Sequence, residues 1–337
     1  MTLAAEEPLG FASSKADNSL LKVNSLCVKL PSDTGGVDAV NGVSFVLDSG
    51  KTLGILGESG SGKSITLKSM MGLLPKKSEV KGQVILNNFN ISQASDKELR
   101  SIRGPEVAMI FQEPMSAFDP VFTVGDQIVE SIVKHEKCGK EAAWRRIKEL
   151  FELVQIPSPE RRMKNYPHEL SGGMRQRAMI ALALACRPKL LLADEPTTAL
   201  DVTVQIQILR LLKSIQEEMG MGLIFVTHDI GVATEVSDDL AIMYAGRFVE
   251  YGPLQKVLDI HAHPYTEGLL NSTVHGGMRG KKLHVIPGSP PDLRALPKGC
   301  PFSPRCNAAE SQCLMAPPEN RIISKDHSVR CIKQNFS

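Results

Sequence analysis

Apolar and polar residues alternate in the first part of the chain, and continuous apolar runs recur further along it. The alternation along residues 20–30 and 40–47 is typical of half-buried strands, with a turn between them at 31–36. Short apolar runs that end on polar or turn residues predict further strands. These predicted strands cover residues 51–56, 82–86, 107–111, 190–195, 222–227, 240–244 and 247–251.

Helical spacing of apolar residues appears between these strands. Residues 124–152 lose the strand pattern, and residues 202–219 carry an apolar stripe that is predicted to pack against a sheet. Strands that alternate with helices, with polar residues at the strand ends, predict an α/β fold built on an open, mostly parallel sheet. The residues of 124–152 that are predicted to face inward are Ile128, Ile132, Ile147 and Leu150.

A glycine loop lies between the predicted strand 51–56 and residues 65–71, which are predicted to begin a helix. Its sequence is Gly-Glu-Ser-Gly-Ser-Gly-Lys-Ser. Glycines let the backbone N–H groups turn toward a phosphate, Lys63 can reach the β- and γ-phosphates, and Ser64 can ligate Mg²⁺. An ordinary glycine-rich turn is the alternative, but chance gives this pattern in only about one in a hundred chains of this length. The predicted nucleotide-binding residues are Gly57, Glu58, Ser59, Gly60, Ser61, Gly62, Lys63, Ser64 and Ile65.

Composition and charge limit the class of protein. A chain of 337 residues can form one large domain and a smaller one. Its 39 basic and 37 acidic residues leave a net charge of +2, which gives no basic footprint for nucleic acid. The N-terminal segment carries Glu6 and Glu7 and lacks the order of a signal peptide, and no apolar run approaches the ~20 residues that cross a bilayer. We therefore expect a soluble, cytosolic protein.

Four polar residues close predicted strands. Asp194 and Glu195 end an apolar run, a pattern typical of one carboxylate that holds Mg²⁺ and a second that orients or deprotonates water. Gln112 and His228 close two other strands, at the edge where open α/β sheets bind ligands. Each residue alone is compatible with a solvated turn. Together with the glycine loop they predict a site that hydrolyses a nucleotide.

A second anion-binding element is predicted at Ser171-Gly172-Gly173, just before a helix that runs to Ala185. A hydroxyl and several N–H groups at a helix start can bind an anion. Serine is also an ordinary helix N-cap, so this element alone does not decide between the two roles.

Taken in order, these elements resemble the motif set of ABC-transporter ATPases. The Leu-Ser-Gly-Gly sequence is the most discriminating, because other P-loop enzymes lack it. The resemblance implies a P-loop ABC ATPase cassette with a mostly parallel core sheet, an antiparallel β subdomain and a helical subdomain at about residues 115–187. The matching elements are 57–64, Gln112, 170–174, 190–195, the Ala199-Leu200-Asp201 segment and His228.

Further segments resemble the ATPase subunits of oligopeptide/dipeptide-type importers. The resemblance covers about residues 20–335. It implies an ABC ATPase domain at 19–260 and a small Cys/Pro-rich domain of the oligopeptide-importer type at 261–337, and residues 1–18 are predicted to form a mobile tail. The segments that carry it are 111–116, 263–266, 286–291 and 299–306.

The resemblance also implies a mechanism in which two such ATPases sandwich two ATP molecules. Glu195, His228 and Gln112 are the implied catalytic residues, and Ser64, Gln112 and Asp194 the implied Mg²⁺ ligands. Closure on ATP then drives the membrane subunits between inward- and outward-facing states, and hydrolysis resets them. The residues implied to contact the ATP of the partner are Ser171, Gly172, Gly173 and Asp201.

The implied partners are a second ABC ATPase subunit, identical or homologous, and two transmembrane permease subunits. An extracytoplasmic solute-binding protein would act indirectly, and no nucleic acid is expected. The loop after Gln112 would grip the membrane subunits, which places the chain at the cytoplasmic face of the plasma membrane. Dipeptides, longer peptides, nickel chelates and opine-like compounds all stay open as the transported solute.

One position departs from the family pattern. The family places an aromatic residue near the end of the first strand to stack on adenine, whereas this chain has Leu30 there and no aromatic residue from Leu20 to Gly42. Contact with the base is then left to Leu30, Val37 or Val40, or to residues elsewhere, and use of GTP stays open.

Four of the seven cysteines fall within 32 residues near the C-terminus. Their separations of five, six and seventeen residues contain no C-x-x-C pair, so spacing alone leaves zinc, a disulfide and free thiols in a proline-rich lobe as alternatives. The resemblance implies a [4Fe–4S] cluster with a structural role, because some members of this importer branch hold one with this cysteine pattern. The four residues are Cys300, Cys306, Cys313 and Cys331.

Two other classes of function compete with the importer subunit. Ribosome-acting ABC proteins generally carry two cassettes in one chain, and chromosome or repair relatives carry long coiled coils or zinc modules inside the cassette. The spacing of the motifs here leaves no room for such an insertion. A P-loop kinase or other metabolic enzyme would leave the Leu-Ser-Gly-Gly element unexplained.

Overall fold

The computed structural model describes residues 19–32, 35–198, 200–272 and 285–333. The predicted tail at 1–18 and Ala199 lie outside these ranges. The chain divides into two compact units. The first unit takes in the described parts of 1–47, 52–92 and 226–337, and the second takes in those of 48–51 and 93–225.

Twelve strands are found in the described ranges, and every predicted strand overlaps one of them. The apolar runs locate the strands well, because strands that are buried on both faces read as near-continuous hydrophobic runs. In chain order the strands are β1 (Ser19–Leu30), β2 (Val37–Asp48), β3 (Thr52–Leu56), β4 (Glu79–Leu86), β5 (Phe89–Asn90), β6 (Val107–Ile110), β7 (Leu190–Asp194), β8 (Gly222–Thr227), β9 (Asp239–Tyr244), β10 (Arg247–Pro253), β11 (Arg321–Ser324) and β12 (His327–Val329).

The same ranges contain ten α-helices. The predicted helical segment 124–152 contains two helices, because Lys137 ends the first in a left-handed conformation and Gly139 is the N-cap residue of the second. In chain order the helices are α1 (Lys63–Met70), α2 (Asp96–Ile102), α3 (Val124–Glu136), α4 (Lys140–Leu153), α5 (Pro159–Arg162), α6 (Gly172–Leu184), α7 (Val202–Met219), α8 (Ile230–Val236), α9 (Leu254–Ile260) and α10 (Pro264–Asn271).

Two sheet arrangements build the first unit. An antiparallel sheet has the strand order β2-β1-β4-β5, which fits the predicted antiparallel β subdomain. A second group of hydrogen-bonded strands has the order β11-β12-β10-β9-β3, and in it β3 runs parallel to β9. β10 pairs antiparallel with both β9 and β12, so an antiparallel edge extends the predicted parallel arrangement.

In the second unit the strands follow the order β8-β7-β6, with β6 parallel to β7. All residues of β6 and β7 are buried, as continuous apolar runs require. Helices α3, α4 and α6 pack on one another. Ile128, Ile132, Ile147 and Leu150 are at most 1% exposed, which confirms the predicted inward face.

Within the described residues 285–320, the proline-rich C-terminal segment contains only short elements. Its turns of 3-10 helix are Ser303–Arg305 and Ser311–Leu314. The hairpin β11–β12, which the sequence did not predict, then joins β10.

A buried polar group anchors this hairpin. Glu250 of β10 and His327 of β12 are both fully buried, and 2.8 Å separates Oε1 of Glu250 from Nε2 of His327. The other oxygen, Oε2, accepts hydrogen bonds from the N–H of His263 and the hydroxyl of Thr266 at 2.9 and 2.5 Å. This carboxylate therefore ties the hairpin and the start of α10 to the sheet.

Candidate functional site

The glycine loop starts where β3 ends. All residues of β3 are buried, and α1 begins at Lys63 directly after the loop. Gly62 has a φ of 108°, and a Cβ added to it would lie 2.5 Å from the carbonyl oxygen of Ala39. A Cβ on Gly57 would lie 2.3 Å from the carbonyl oxygen of Met243. Both positions therefore require glycine.

Lys63 is held over this loop. The residue is 4% exposed, and its Nζ donates hydrogen bonds to the carbonyl oxygens of Gly57 and Glu58 at 2.7 and 2.9 Å. An ammonium group in such surroundings makes strong hydrogen bonds to a phosphate that enters the loop. Contact of Lys63 with the β- and γ-phosphates stays a prediction, for which its Nζ lies at the loop.

The start of α1 offers polar atoms to the same loop. No side chain caps this helix start, since Gly62 is the N-cap residue. The hydroxyl of Ser61 is buried and has no hydrogen-bond partner among the described residues. Ser59 and Gly60 are exposed, and Ser64 and Ile65 are half-buried. An anion at this helix start would meet backbone N–H groups and the positive end of the helix.

The predicted pair of acids lies at the end of β7, in the second unit. Asp194 is 4% exposed, whereas Glu195 is half-buried. Oε2 of Glu195 accepts hydrogen bonds from Thr198 Oγ1 at 2.9 Å and from Gln112 Nε2 at 3.3 Å. The structure therefore brings Gln112 and Glu195 together from the ends of two neighbouring strands.

Glu195 has an unusual backbone conformation. Its φ of 46° lies in the left-handed region, which costs a non-glycine residue about 1–3 kcal/mol. Strain of this kind clusters at active sites, where the fold holds a side chain in a required direction.

Ser171 and Asp201 are N-cap residues of long helices in the second unit. The hydroxyl of Ser171 accepts a hydrogen bond from Met174 N at 3.3 Å, at the start of α6. Asp201 accepts from Val204 N at 3.0 Å, at the start of α7. Ser171 and Gly172 are exposed, and Gly173 is half-buried, so the start of α6 is open to a ligand.

His228 follows β8 in the first unit and is exposed. The next residue, Asp229, caps α8 by accepting hydrogen bonds from Gly231 N at 2.8 Å and Val232 N at 3.4 Å. The capped turn fixes the backbone that carries His228.

The four C-terminal cysteines line one pocket of the first unit, together with His263 and Phe302. All seven cysteines lie in the described ranges and are free thiols. Among the described residues, no group of three or more His, Cys, Asp or Glu side chains is arranged to hold a metal ion. The structure thus gathers the predicted cysteines without converging them on a single point.

Burial changes the acidity of these thiols. It raises the pKa of Cys300 to about 11, and it also raises the pKa of Cys306 and Cys331. These three shifts run opposite to the lowered pKa of the cysteines of redox catalysis.

Two protein-family models match the chain. The model described as ABC transporter matches residues 40–198, and the model described as oligopeptide/dipeptide transporter, C-terminal region, matches residues 249–313. The dipeptide transport ATP-binding protein DppD of Bacillus subtilis is 47% identical over 318 residues, which cover 94% of this chain and 95% of DppD. The oligopeptide transport ATP-binding protein OppD of Salmonella typhimurium is 47% identical over 301 residues, with coverage of 89% and 90%. The chain belongs to the ABC-transporter family, in its oligopeptide/dipeptide branch.

Solved structures agree with this ABC assignment. The ATP-binding cassette MJ0796, in a dimeric post-hydrolysis state bound to ADP and Pi, has a TM-score of 0.63 and 28% identity, and covers 69% of this chain and 98% of its own. CbiO1 from Clostridium perfringens, part of an ABC transporter complex, has a TM-score of 0.61 and 27% identity, with coverage of 72% and 92%. The predicted fold, an α/β ABC ATPase cassette, is thereby confirmed.

The residues left for base contact in this ABC cassette differ in exposure. Leu30 and Val37 are half-buried, whereas Val40 is only 1% exposed. Leu30 and Val37 therefore offer apolar surface to a base, and Val40 is packed into the protein.

Sequence reasoning missed one contact of the ABC glycine loop. Glu58 forms an ion pair with Arg305 in the C-terminal region, with Nη1 of the arginine 2.6 Å from Oε2 of the glutamate. The two residues are 247 positions apart, and no local pattern signals their contact.

None of the helices within the described ranges of this ABC-family chain has the length and apolar character that spanning a bilayer requires.

Proposed function

We propose that this chain binds and hydrolyses ATP to power uptake of peptides, or of a similar small solute, through partner membrane subunits. Relatives named for dipeptide and oligopeptide transport match both the cassette and the C-terminal region, and they support this class of solute. The observation that carries the proposal is that the chain contains two anion-binding elements, the glycine loop with Lys63 in the first unit and the exposed start of α6 at Ser171 in the second.

In the first unit, residues 57–65 would bind the phosphates of ATP. Lys63 would transfer its hydrogen bonds from the loop carbonyls to the β- and γ-phosphates, and Ser64 would ligate Mg²⁺. His228 would contact the γ-phosphate from its fixed turn. The buried, unpartnered hydroxyl of Ser61 supports a ligand in this loop.

In the second unit, Glu195 would accept the proton of the attacking water. Asp194 and Gln112 supply the oxygen ligands that Mg²⁺ prefers, and the metal would neutralise charge on the phosphates. The hydrogen bond between Gln112 and Glu195 supports a shared role for these side chains.

Ser171, Gly172, Gly173 and Asp201 would act on ATP bound to a second ABC ATPase subunit. The exposed start of α6 supports this arrangement, because an anion-binding helix start is most useful when its ligand arrives from outside.

Two transmembrane permease subunits would dock on the second unit. The segment after Gln112 exposes two large apolar side chains, Val121 at 68% and Phe122 at 55%, which suit a protein interface. Docking there would hold the chain at the cytoplasmic face of the membrane, and a solute-binding protein would act from the opposite side.

Ser171→Arg tests the function and the action across subunits. We expect the variant to bind ATP as an isolated chain, but to lose ATP hydrolysis in the assembled transporter and uptake of a labelled peptide by cells that carry it. The long, positively charged side chain would obstruct the γ-phosphate of the partner's nucleotide. ATP binding, phosphate release and peptide uptake are measured in parallel.

Ser95→Arg is the matched control, since Ser95 is also an exposed N-cap serine. It loses about 1 kcal/mol of helix capping but should keep transport. Full hydrolysis by a strictly monomeric chain would rule out the action across subunits. Stimulation by nucleic acid or ribosomes instead of permeases would favour a non-transport ABC ATPase.

We also propose that Cys300, Cys306, Cys313 and Cys331 hold a [4Fe–4S] cluster. Among the described residues, no group is arranged to hold a single metal ion. The four thiols line one pocket, and as thiolates they would be the four cysteine ligands that such a cluster takes. The cluster would supply a structural crosslink for a segment with little regular structure.

Anaerobic purification tests the cluster. We expect brown protein with about four irons and four sulfides per chain. Cys313→Ser should lose most of the iron, whereas Cys138→Ser, which does not line the pocket, should keep it. Colourless anaerobic protein with stoichiometric zinc, or with no metal, would contradict the proposal.

A further inference from the structure

Arg305 brings a buried positive charge to the glycine loop. Its Nη1 donates to Oε2 of Glu58 at 2.6 Å, and its Nη2 donates to Oε1 at 2.9 Å. The arginine side chain is 6% exposed and the glutamate side chain 27% exposed. This is a bidentate pair largely shielded from water, the geometry in which an ion pair is strongest.

The C-terminal region holds Arg305 in place. Its Nε donates to the carbonyl oxygen of Pro287 at 2.8 Å, and its guanidinium carbon lies 5.9 Å from the ring centroids of both Tyr244 and Phe302. The aromatic rings also pack edge to face, with centroids 5.2 Å apart. The guanidinium is therefore fixed before any nucleotide arrives.

The backbone of Glu58 is fixed as well. Its N–H donates to the hydroxyl of Tyr265 at 2.9 Å, and its carbonyl oxygen accepts from Lys63 Nζ at 2.9 Å. Tyr265 is fully buried in α10. Side chain and main chain of this loop residue are thus held by groups from the C-terminal part of the chain.

The negative charge of Glu58 explains how this contact would affect nucleotide binding. ATP carries several negative charges, and an unpaired carboxylate in a loop that binds its phosphates would repel them. Arg305 neutralises that carboxylate and holds it in one orientation through two hydrogen bonds. The hydrogen bond from Lys63 Nζ also holds the carbonyl oxygen of Glu58 in place.

We propose that Arg305 is a positioning residue for nucleotide binding, which gives the C-terminal region a role at the glycine loop of its own chain. The proposal rests on the function of residues 57–65 as the ATP-binding loop. Arg305 acts through Glu58 and does not touch ATP itself.

Arg305→Gln is the first test, in the full-length chain. We expect the Kd for the Mg²⁺ complex of the non-hydrolysable analogue AMP-PNP to rise about tenfold. In the assembled transporter, KM for ATP should rise while kcat at saturating ATP stays close to that of the parent. The difference in Kd should shrink as salt is raised, because salt screens the repulsion between the unpaired carboxylate and the phosphates.

Adding Glu58→Gln to Arg305→Gln distinguishes an electrostatic effect of Arg305 on nucleotide binding from structural support of the loop. The double variant should recover most of the lost affinity, because the repelling carboxylate is gone. A merely structural arginine would give no recovery. Arg305→Lys keeps the charge without the bidentate geometry and should give an intermediate Kd.

Arg294→Gln is the matched control. Arg294 lies in the same region but pairs with Asp292 at an exposed position, so its loss should leave the Kd unchanged. Parent affinity in Arg305→Gln, or no recovery in the double variant, would overturn the inference. Failure of the parent chain to bind AMP-PNP at all would instead overturn the proposed function. If Arg305→Gln does not fold, Arg305→Lys with and without Glu58→Gln decides the same question.

Discussion

Glu195→Gln is expected to lower ATP hydrolysis by at least about a hundredfold while ATP still binds. An amide cannot accept the proton of the attacking water, and a positioned general base contributes about 10²–10⁴-fold in rate. The change removes one charge but keeps the size of the side chain and an oxygen that can accept the hydrogen bond from Thr198. Phosphate release at saturating ATP, with nucleotide binding measured separately, checks the expectation.

The same variant should also favour the closed dimer of ATPase subunits, because ATP is bound but not consumed. Size-exclusion chromatography with and without ATP reports this change. Glu149→Gln is the control, since Glu149 is exposed on α4 and pairs only with its helix neighbour Arg146 among the described contacts. Hydrolysis by Glu195→Gln at the parent rate would show that Glu195 is not the general base.

Lys63→Ala is expected to remove most of the affinity for nucleotide. A charge-assisted hydrogen bond contributes about 1.5–3 kcal/mol, so loss of two such bonds to the phosphates weakens binding by at least about a hundredfold. Titration with Mg²⁺ and ATP measures the effect.

Lys68→Ala on the same helix is the control for this experiment. Lys68 lies in the last turn of α1, away from the loop. The Lys68→Ala variant should bind ATP as the parent does, within about twofold, because the charge that it removes lies more than one helical turn from the phosphates. Equal affinity of Lys63→Ala and the parent would contradict the phosphate-binding role.

The sequence alone predicted much of the cassette, because its elements are encoded locally. The predicted bounds 202–219 and 222–227 coincide with α7 and β8. An amphipathic stripe shows which face of a helix packs on the core, and a continuous apolar run bounded by turn signals shows where a buried strand lies. The glycine loop was equally readable, since Gly57 and Gly62 occupy positions where any Cβ would clash.

Contacts between distant residues could not be predicted in this way. The pair of Glu250 and His327 spans 77 positions, and neither residue stands out in the sequence. The hairpin β11–β12 is too short to show a strong alternating pattern, and its burial depends on β10. Only the fold shows that these polar residues are partners rather than surface groups.

The arrangement of the four C-terminal cysteines could be predicted only in part from the sequence. Their spacing matches no familiar metal motif, so the residues alone left several alternatives. The fold places all four around one pocket because the turns at Ser303–Arg305 and Ser311–Leu314 bring distant positions together. Which group these thiols would hold depends on chemistry that spacing does not encode.

The ion pair of Arg305 with Glu58 limits how the chain can be recombined. A chimaera that takes its cassette from this protein and its C-terminal region from a relative without an arginine here would leave the loop carboxylate without its partner. The reverse exchange, onto a cassette with a neutral residue at this position, would bury a guanidinium without a counter-charge, which costs stability. The cassette and the C-terminal region therefore have to be exchanged together, although the two family models match them as separate segments.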